Sequence, residues 1–588
     1  MDRRSPVAFV ADPETLPSLP ASAAVLPLRP EVEVQESRRV ASRPEDLLGQ
    51  ADQQRVEQDS DRVLERLFQE VDPDPFSWNG VNLAECFVGS LELVVRDLMK
   101  SAVVIERVLE RLEPPTLITD VDPLQSPFPG YPYLSAIGSL IETISAEQGR
   151  PYRLLSAQPR TQMREAPRSA LVQAYVRLSS RKALAVLQGG GSLVALGPYP
   201  EQFVPIARAW QADSRATVVV STARAPVRSA PRSHLFAATL ESFVDSVGQE
   251  KVARFTRQAV STIHSMSIPT ALRASWPVIW GPLRTEIRTL MASELPNLAA
   301  AGIAFEDRLG NASGLVLLET SSPLAKSAIR FARKRAIPVT VIQHGIVAGA
   351  WSYSKTEADR LAAWGPTDAK WFEVTLGPKV RVQPTGSPRY DQLATTSPSE
   401  KDAFVLRLPA HTTVVTFASQ PFVQDRALRS PWERQLAIDM AVRVTEELRT
   451  FALVVKWHPA EKPSFLGVKE GSSAQVWSTQ SANTFALVRR STAVLAISST
   501  VSLEAMYLDR PVVFLGPPDL TSPFHPPEDG GGLRANTEME LVGCLRRLLH
   551  DEPFRDRVLV GQREFLAENY APLDGRAAER VAHLLLRG

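Results

Sequence analysis

Two polar clusters stand where apolar runs stop. Residues 451–455 read FALVV and are followed by Lys456-Trp457-His458-Pro459. Residues 493–497 read AVLAI and are followed by Ser498-Ser499-Thr500. Continuous apolar runs of this kind read as strands buried on both faces of a parallel sheet. Open parallel sheets bind ligands beyond the carboxyl ends of their strands, and both clusters fall there. A helical pattern opens at Thr500 or Val501, so free backbone N–H groups and a positive dipole end are expected beside the hydroxyls. That combination suits a phosphate. Each cluster alone has an ordinary explanation: Ser499 or Thr500 as an N-cap, and His458 as a solvent-facing residue at a strand end. Their placement on two strand ends of one sheet points to an anion site. Lys456 beside His458 adds positive charge.

The elements that must position these residues alternate strand and helix. Residues 314–318, 322–334 and 337–342 read as strand, helix and strand, which implies a parallel pair with a right-handed crossover. Gln343-His344-Gly345 follows at once, with Gly345 allowing a tight turn near a ligand. Glu319 ends the earlier strand. Residues 361–365 and 380–385 read as further strands, and 393–402, rich in Thr, Ser and Pro, as a linker. Residues 412–417 open the next strand and 432–450 a helix. Upstream, 88–112 reads as one long helix and 116–119 as a short strand ending in Asp120-Val121-Asp122-Pro123. Asp120 and Asp122 are expected as strand-end carboxylates facing a cleft rather than as metal ligands. Residues 234–310 read as a mainly helical insertion. Residues 1–55, rich in Pro, Ala, Ser and charge, read as a mostly disordered arm.

Composition narrows the class. The chain has 588 residues, enough for two or three domains, with 44% hydrophobic and 22% charged residues. A formal net charge of +1 gives no electrostatic footprint for nucleic acid. Two cysteines, Cys86 and Cys544, exclude a disulfide framework and a cysteine-rich zinc site, and fit a reducing cytoplasm. No apolar run approaches the roughly 20 residues that span a bilayer, and Asp12, Pro13 and Glu14 interrupt any signal-peptide core. The expected location is cytoplasmic, including the inner face of the membrane, with peripheral association left open.

His458-Pro459 followed by Ser498-Ser499-Thr500 resembles the HP and SS/T motifs of bacterial capsule and surface-polysaccharide glycosyltransferases. These include polysialyltransferases, β-Kdo transferases and CDP-glycerol glycerophosphotransferases. Gln343-His344-Gly345, the run Thr385-Gly386-Ser387-Pro388-Arg389-Tyr390-Asp391, and Glu504-Ala505 ahead of Pro511 add to the resemblance, which covers about residues 310–550. It implies the GT-B fold, an α/β architecture of two Rossmann-like domains facing a cleft. The acceptor-side domain would span 56–392 and the donor domain 403–588. A nucleotide-activated sugar, with a CMP-sugar favoured, would be the co-substrate, and no cofactor or metal is expected. Lys456, His458, Ser498, Ser499 and Thr500 would hold the donor phosphate and Glu504 its ribose. His344 and Asp120 are the candidate bases, with Gln343, Gly345, Glu319, Asp122 and Arg389 lining the cleft. The acceptor would be a surface glycan or glycolipid. Alternatives are glycerol phosphate transfer from CDP-glycerol, a UDP-GlcNAc 2-epimerase-like activity, and a non-catalytic scaffold. Glu528-Asp529-Gly530 matches an acidic-Gly triplet of polysialyltransferases, but it follows the SS/T cluster instead of preceding HP, so no role is carried over.

Overall fold

A computed structural model describes residues 5–35, 39–121, 137–155, 180–183, 185–187, 192–196, 203–210, 217–221, 235–347, 353, 356–395, 402–420, 431–459, 461, 466, 475–517 and 522–586. The strands begin with β1 (Val7–Val10) and β2 (Ala24–Pro27), followed by a small antiparallel hairpin of β3 (Ser77–Trp78) and β4 (Val81–Asn82). Next come β5 (Leu117–Thr119) and β6 (Tyr152–Leu154). A four-stranded parallel sheet forms in the order β2-β1-β5-β6. Residues 1–55 are therefore not the disordered arm that their composition predicts. Val7, Ala8, Phe9 and Val10 are at most 1% exposed, and β1 sits between β2 and β5. The N-terminal half thus carries two sheets, where a single Rossmann-like unit was expected.

The second sheet contains β7 (Leu193–Leu196), β8 (Thr217–Ser221), β9 (Leu235–Thr239), β10 (Gly314–Leu317), β11 (Val339–Ile342), β12 (Arg360–Ala363) and β13 (Arg381–Pro384). Its seven parallel strands run β13-β12-β11-β10-β7-β8-β9. The third contains β14 (Val414–Ala418), β15 (Ala452–Lys456), β16 (Val476–Thr479), β17 (Ala493–Ala496), β18 (Val512–Leu515) and β19 (Leu533–Ala535). Its six run β16-β15-β14-β17-β18-β19. Numbered from its own first strand, each large sheet contains the order 3-2-1-4-5-6, that of doubly wound nucleotide-binding sheets. The α/β class with two Rossmann-like domains is as the sequence implies. The stretch expected as a mainly helical insertion opens with β9 and then supplies the helices Ser246–Ser265 and Trp280–Asp307.

Amphipathic helices explain the layering. The helix Val88–Leu112 buries Leu91, Val95, Leu98, Ala102 and Ile105. It lies in one core with Phe9 of the first sheet and Leu315, Val339 and Leu361 of the second. These two sheets therefore share a helical layer. On the other face of the second sheet, Val316, Ile342 and Ala362 pack with Val581, Leu584 and Leu585 of the helix Ala577–Leu586. This helix thus packs on the seven-stranded sheet, and Arg360 Nη1 donates to Leu584 O at 3.1 Å. In the run 385–391, Gly386 takes φ +81°, and Asp391 accepts from the backbone N–H groups of Ala577 and Ala578 at 2.9 and 2.8 Å. That carboxylate fixes the start of the returning helix. Among the described residues no helix is long and apolar enough to cross a membrane.

Candidate functional site

The winding of the third sheet reverses between β14 and β17. Beyond β14, Gln420 reaches toward Ser498, the polar residue after β17. Gln420 Nε2 donates to Ser498 Oγ at 2.7 Å, and Ser498 N donates to Gln420 Oε1 at 3.2 Å. Ser499 is the N-cap of the helix Thr500–Tyr507, its Oγ accepting from Val501 N at 3.3 Å. The cap reading of Ser499 is therefore correct, and it leaves the positive helix end at the switch point.

His458, exposed after β15, belongs to the same rim. Its backbone N–H donates to Glu461 Oε2 at 2.8 Å. Glu461, 7% exposed, also accepts from Ser419 Oγ and Arg434 Nη1, both at 2.9 Å. Gln480 Nε2 closes the turn by donating to His458 O at 2.9 Å and Glu461 O at 2.6 Å. Lys456 is buried, with Nζ donating to Gln480 O at 2.8 Å, and burial lowers its pKa. Lys456 thus braces this turn. The sequence reading did not single out Glu461 or Gln420. The signal for Glu461 is a carboxylate three residues past His458, where it can return to the N–H at which its own turn begins.

The loop after β11 crosses to this rim. Ile346 N donates to Thr500 Oγ1 at 3.4 Å, and a Cβ on Gly345 would stand 3.6 Å from the same oxygen. That is ordinary contact, and Gly345 has no positive φ. The tight-turn role expected of Gly345 is replaced by proximity to Thr500. The carboxyl ends of the two large sheets therefore meet, bringing His344, Gly345 and Thr500 together.

His344 is half-buried. Its Nδ1 lies 2.6 Å from Leu318 O and 3.4 Å from the Tyr353 hydroxyl. A carbonyl oxygen only accepts, so Nδ1 carries the proton and Nε2 keeps its lone pair. Burial lowers the imidazole pKa, which favours this neutral form. Gln343 fixes the loop: Nε2 donates to Gly345 O at 2.9 Å and Asp368 Oδ2 at 2.8 Å, and Oε1 accepts from Trp364 N at 2.8 Å. Trp364 Nε1 donates to Gln343 O at 2.7 Å. With its side-chain amide so engaged, Gln343 is a brace of the loop.

Asp368 is a second carboxylate the sequence reading overlooked. Burial pushes it up to about 6 from the ordinary 3.8. The folded state therefore holds a proton that the unfolded state has released between those values, and stability falls as pH rises through that window. The ionised form costs roughly 2–3 kcal/mol at neutral pH. Asp368→Asn keeps an oxygen for Gln343 and is expected to raise stability by about 1–3 kcal/mol above pH 6. Denaturant melts at acid and at neutral pH check this: the gain should be confined to the higher pH, and a variant with the parent's pH profile would contradict it.

Other expected residues have different places. Asp120 accepts from Ala11 N at 2.8 Å, Asp12 N at 2.7 Å and Thr15 Oγ1 at 3.0 Å. Both its oxygens are used at the end of β1, in the first sheet, which is a structural role. Glu319 accepts from the backbone and hydroxyl groups of Ser321 and Ser322 at the start of the helix Pro323–Lys334. Asp122 lies outside the described residues. Arg389 Nη2 pairs with Glu504 Oε1 at 2.6 Å. Glu528 pairs with Arg534 at 2.7 Å beside the turn at Gly530. Among the described residues no three His, Cys, Asp or Glu side chains gather as a metal-binding set.

No family model and no curated protein matches the chain. Several solved structures are similar. A putative UDP-N-acetylglucosamine 2-epimerase from Listeria monocytogenes is 15% identical, with a TM-score of 0.40 over 67% of this chain and 94% of that one. The wall teichoic acid polymerase TagF is 12% identical, with a TM-score of 0.41 over 71% and 92%. A glycosyltransferase from Rickettsia africae ESF-5 is 11% identical, with a TM-score of 0.41 over 68% and 99%.

Proposed function

We propose that this chain is a GT-B glycosyltransferase that moves a sugar from a nucleotide-activated donor, with a CMP-sugar favoured, to a surface polysaccharide or glycolipid acceptor. The observation that carries this reading is the meeting of the His344 loop with the Ser499-capped helix at the switch point of the six-stranded sheet. A phosphate at that helix end meets the dipole, the hydroxyls of Ser498 and Thr500, and His458. Glu504, four residues further along the helix, takes the ribose. The acceptor hydroxyl gives its proton to His344 Nε2 as the new bond forms, and the helix end and His458 stabilise charge developing on the departing phosphate. Leu318 and Tyr353 hold the imidazole and Gln343 braces its loop; Glu461 and Gln480 hold the His458 turn.

A thermal-shift screen against CMP, CDP, UDP and GDP tests the donor site. At a hundredfold excess over Kd, binding stabilises the folded state by about 2.7 kcal/mol, so one nucleotide should stand clear of the rest. No shift with any of the four would count against the reading. Product analysis with the matching activated donor then separates glycosyl transfer from glycerol phosphate transfer and from epimerisation.

A further inference from the structure

Arg389 and Glu504 belong to different domains. Arg389 follows β13 of the seven-stranded sheet, whereas Glu504 lies on the helix Thr500–Tyr507 of the six-stranded one. Their 2.6 Å contact uses only Glu504 Oε1. The Arg389 guanidinium also lies 5.7 Å from the centre of the Phe485 ring, a second hold on the donor domain. Glu504 is 1% exposed, and its Oε2 has no hydrogen-bond partner among the described residues. A buried carboxylate oxygen without a donor is unfavourable. An ionised carboxylate only accepts, so the group that completes Oε2 must donate, as a hydroxyl does. The hydroxyl of Tyr390, next to Arg389 in the chain, is likewise buried without a partner among the described residues. Its ring lies 5.5 Å from Trp364 of its own domain and 5.1 Å from Tyr507 across the domain boundary.

We propose that Arg389 is a positioning residue of the donor site: from the opposite domain it occupies Glu504 Oε1 and leaves Oε2 as the acceptor for a ribose hydroxyl, so that ribose recognition is completed only when the domains close. This rests on the donor-site reading above. The electrostatics agree. Burial raises the Glu504 carboxyl, and Arg389 followed by Lys456 are the groups that lower it. Burial raises the pKa of the neighbouring Tyr390 hydroxyl, and Glu504 raises it further. Without Arg389 the carboxyl takes up a proton more readily and loses its preference for a donating partner.

Calorimetric titration of CMP, CDP, UDP and GDP beside their 2′,3′-dideoxy analogues tests this. A hydrogen bond to a charged group corresponds to roughly 10–100-fold in affinity, and the parent is expected to prefer the ribonucleotide by about that factor. Arg389→Ala should bring the ratio toward one, and Arg389→Lys should restore part of it. A purely structural role would weaken both ligands equally and leave the ratio alone. Glu504→Gln, which preserves the shape of the pair, should lose the preference too, and this holds even if Arg389→Ala fails to fold. Either Arg389→Ala or Glu504→Gln binding with the parent's ratio overturns the inference. A parent that binds none of the four nucleotides overturns the donor-site reading, and this inference with it.

Discussion

Deletion of residues 1–35 is expected to abolish the folded state. The segment supplies β1 and β2, two of four strands in the first sheet. Val7, Phe9, Val10, Val25, Leu26 and Leu28 are at most 1% exposed. At about 1.5–3 kcal/mol for each buried apolar side chain, their loss removes roughly 10 kcal/mol, comparable to the whole stability of an ordinary domain. Two further consequences add to this. Asp120 loses the N–H donors of Ala11 and Asp12. Glu33, which accepts from Trp432 Nε1 at 2.6 Å and from Arg43, no longer ties the N-terminal segment to the domain of the six-stranded sheet. Soluble yield and the cooperativity of thermal unfolding read the outcome. Phe9→Ala provides a milder version, expected to cost about 3–5 kcal/mol. A truncated protein that melts like the full chain would show the first sheet to be dispensable.

His344→Ala is expected to lower turnover by about 10²–10⁴-fold, the usual contribution of a positioned base, with donor nucleotide affinity within about twofold of the parent. The imidazole is held by Leu318 O with Nε2 left as the acceptor, and nothing in that contact involves the donor side. Separate measurement of nucleotide affinity and turnover distinguishes the roles. A proportional loss of affinity would make His344 part of the donor site. Asp120→Asn is the comparison: with both carboxylate oxygens bound to the β1 end, it should affect stability more than the chemistry.

The second and third sheets were readable because their central strands are unbroken apolar runs with abrupt polar ends. That pattern located β10, β11, β15, β17 and β18 within a residue or two, and with them the turns carrying His344, His458 and Ser498. In the first sheet β5 was readable as a short strand, whereas β1 and β2 were not. Pro6, Pro13, Pro17, Pro20 and Pro30 crowd a segment whose strands are only four residues long. β1 becomes visible only through pairing with Leu117–Thr119, more than a hundred residues away, and β2 only through pairing with β1. The same non-locality misassigned Asp120: it does end a strand, but of a sheet that composition concealed. Glu461, Gln420 and Asp368 escaped notice because each matters through a partner set by the fold: Arg434, Ser498 and Gln343, respectively. The strand β19 is three residues, LRA, too short for any periodic signal.

The central claim is that a nucleotide phosphate binds where His458 and the Ser499-capped helix converge. Calorimetric titration with the nucleotide that gives the largest thermal shift tests it directly, on the parent, His458→Ala and Ser498→Ala. Loss of a charge-assisted contact to phosphate costs about 1.5–3 kcal/mol, so His458→Ala should weaken binding roughly 10–100-fold. Ser498→Ala should weaken it less, because Gln420 and the helix end remain. Equal affinity in all three proteins would contradict the account and place the nucleotide elsewhere.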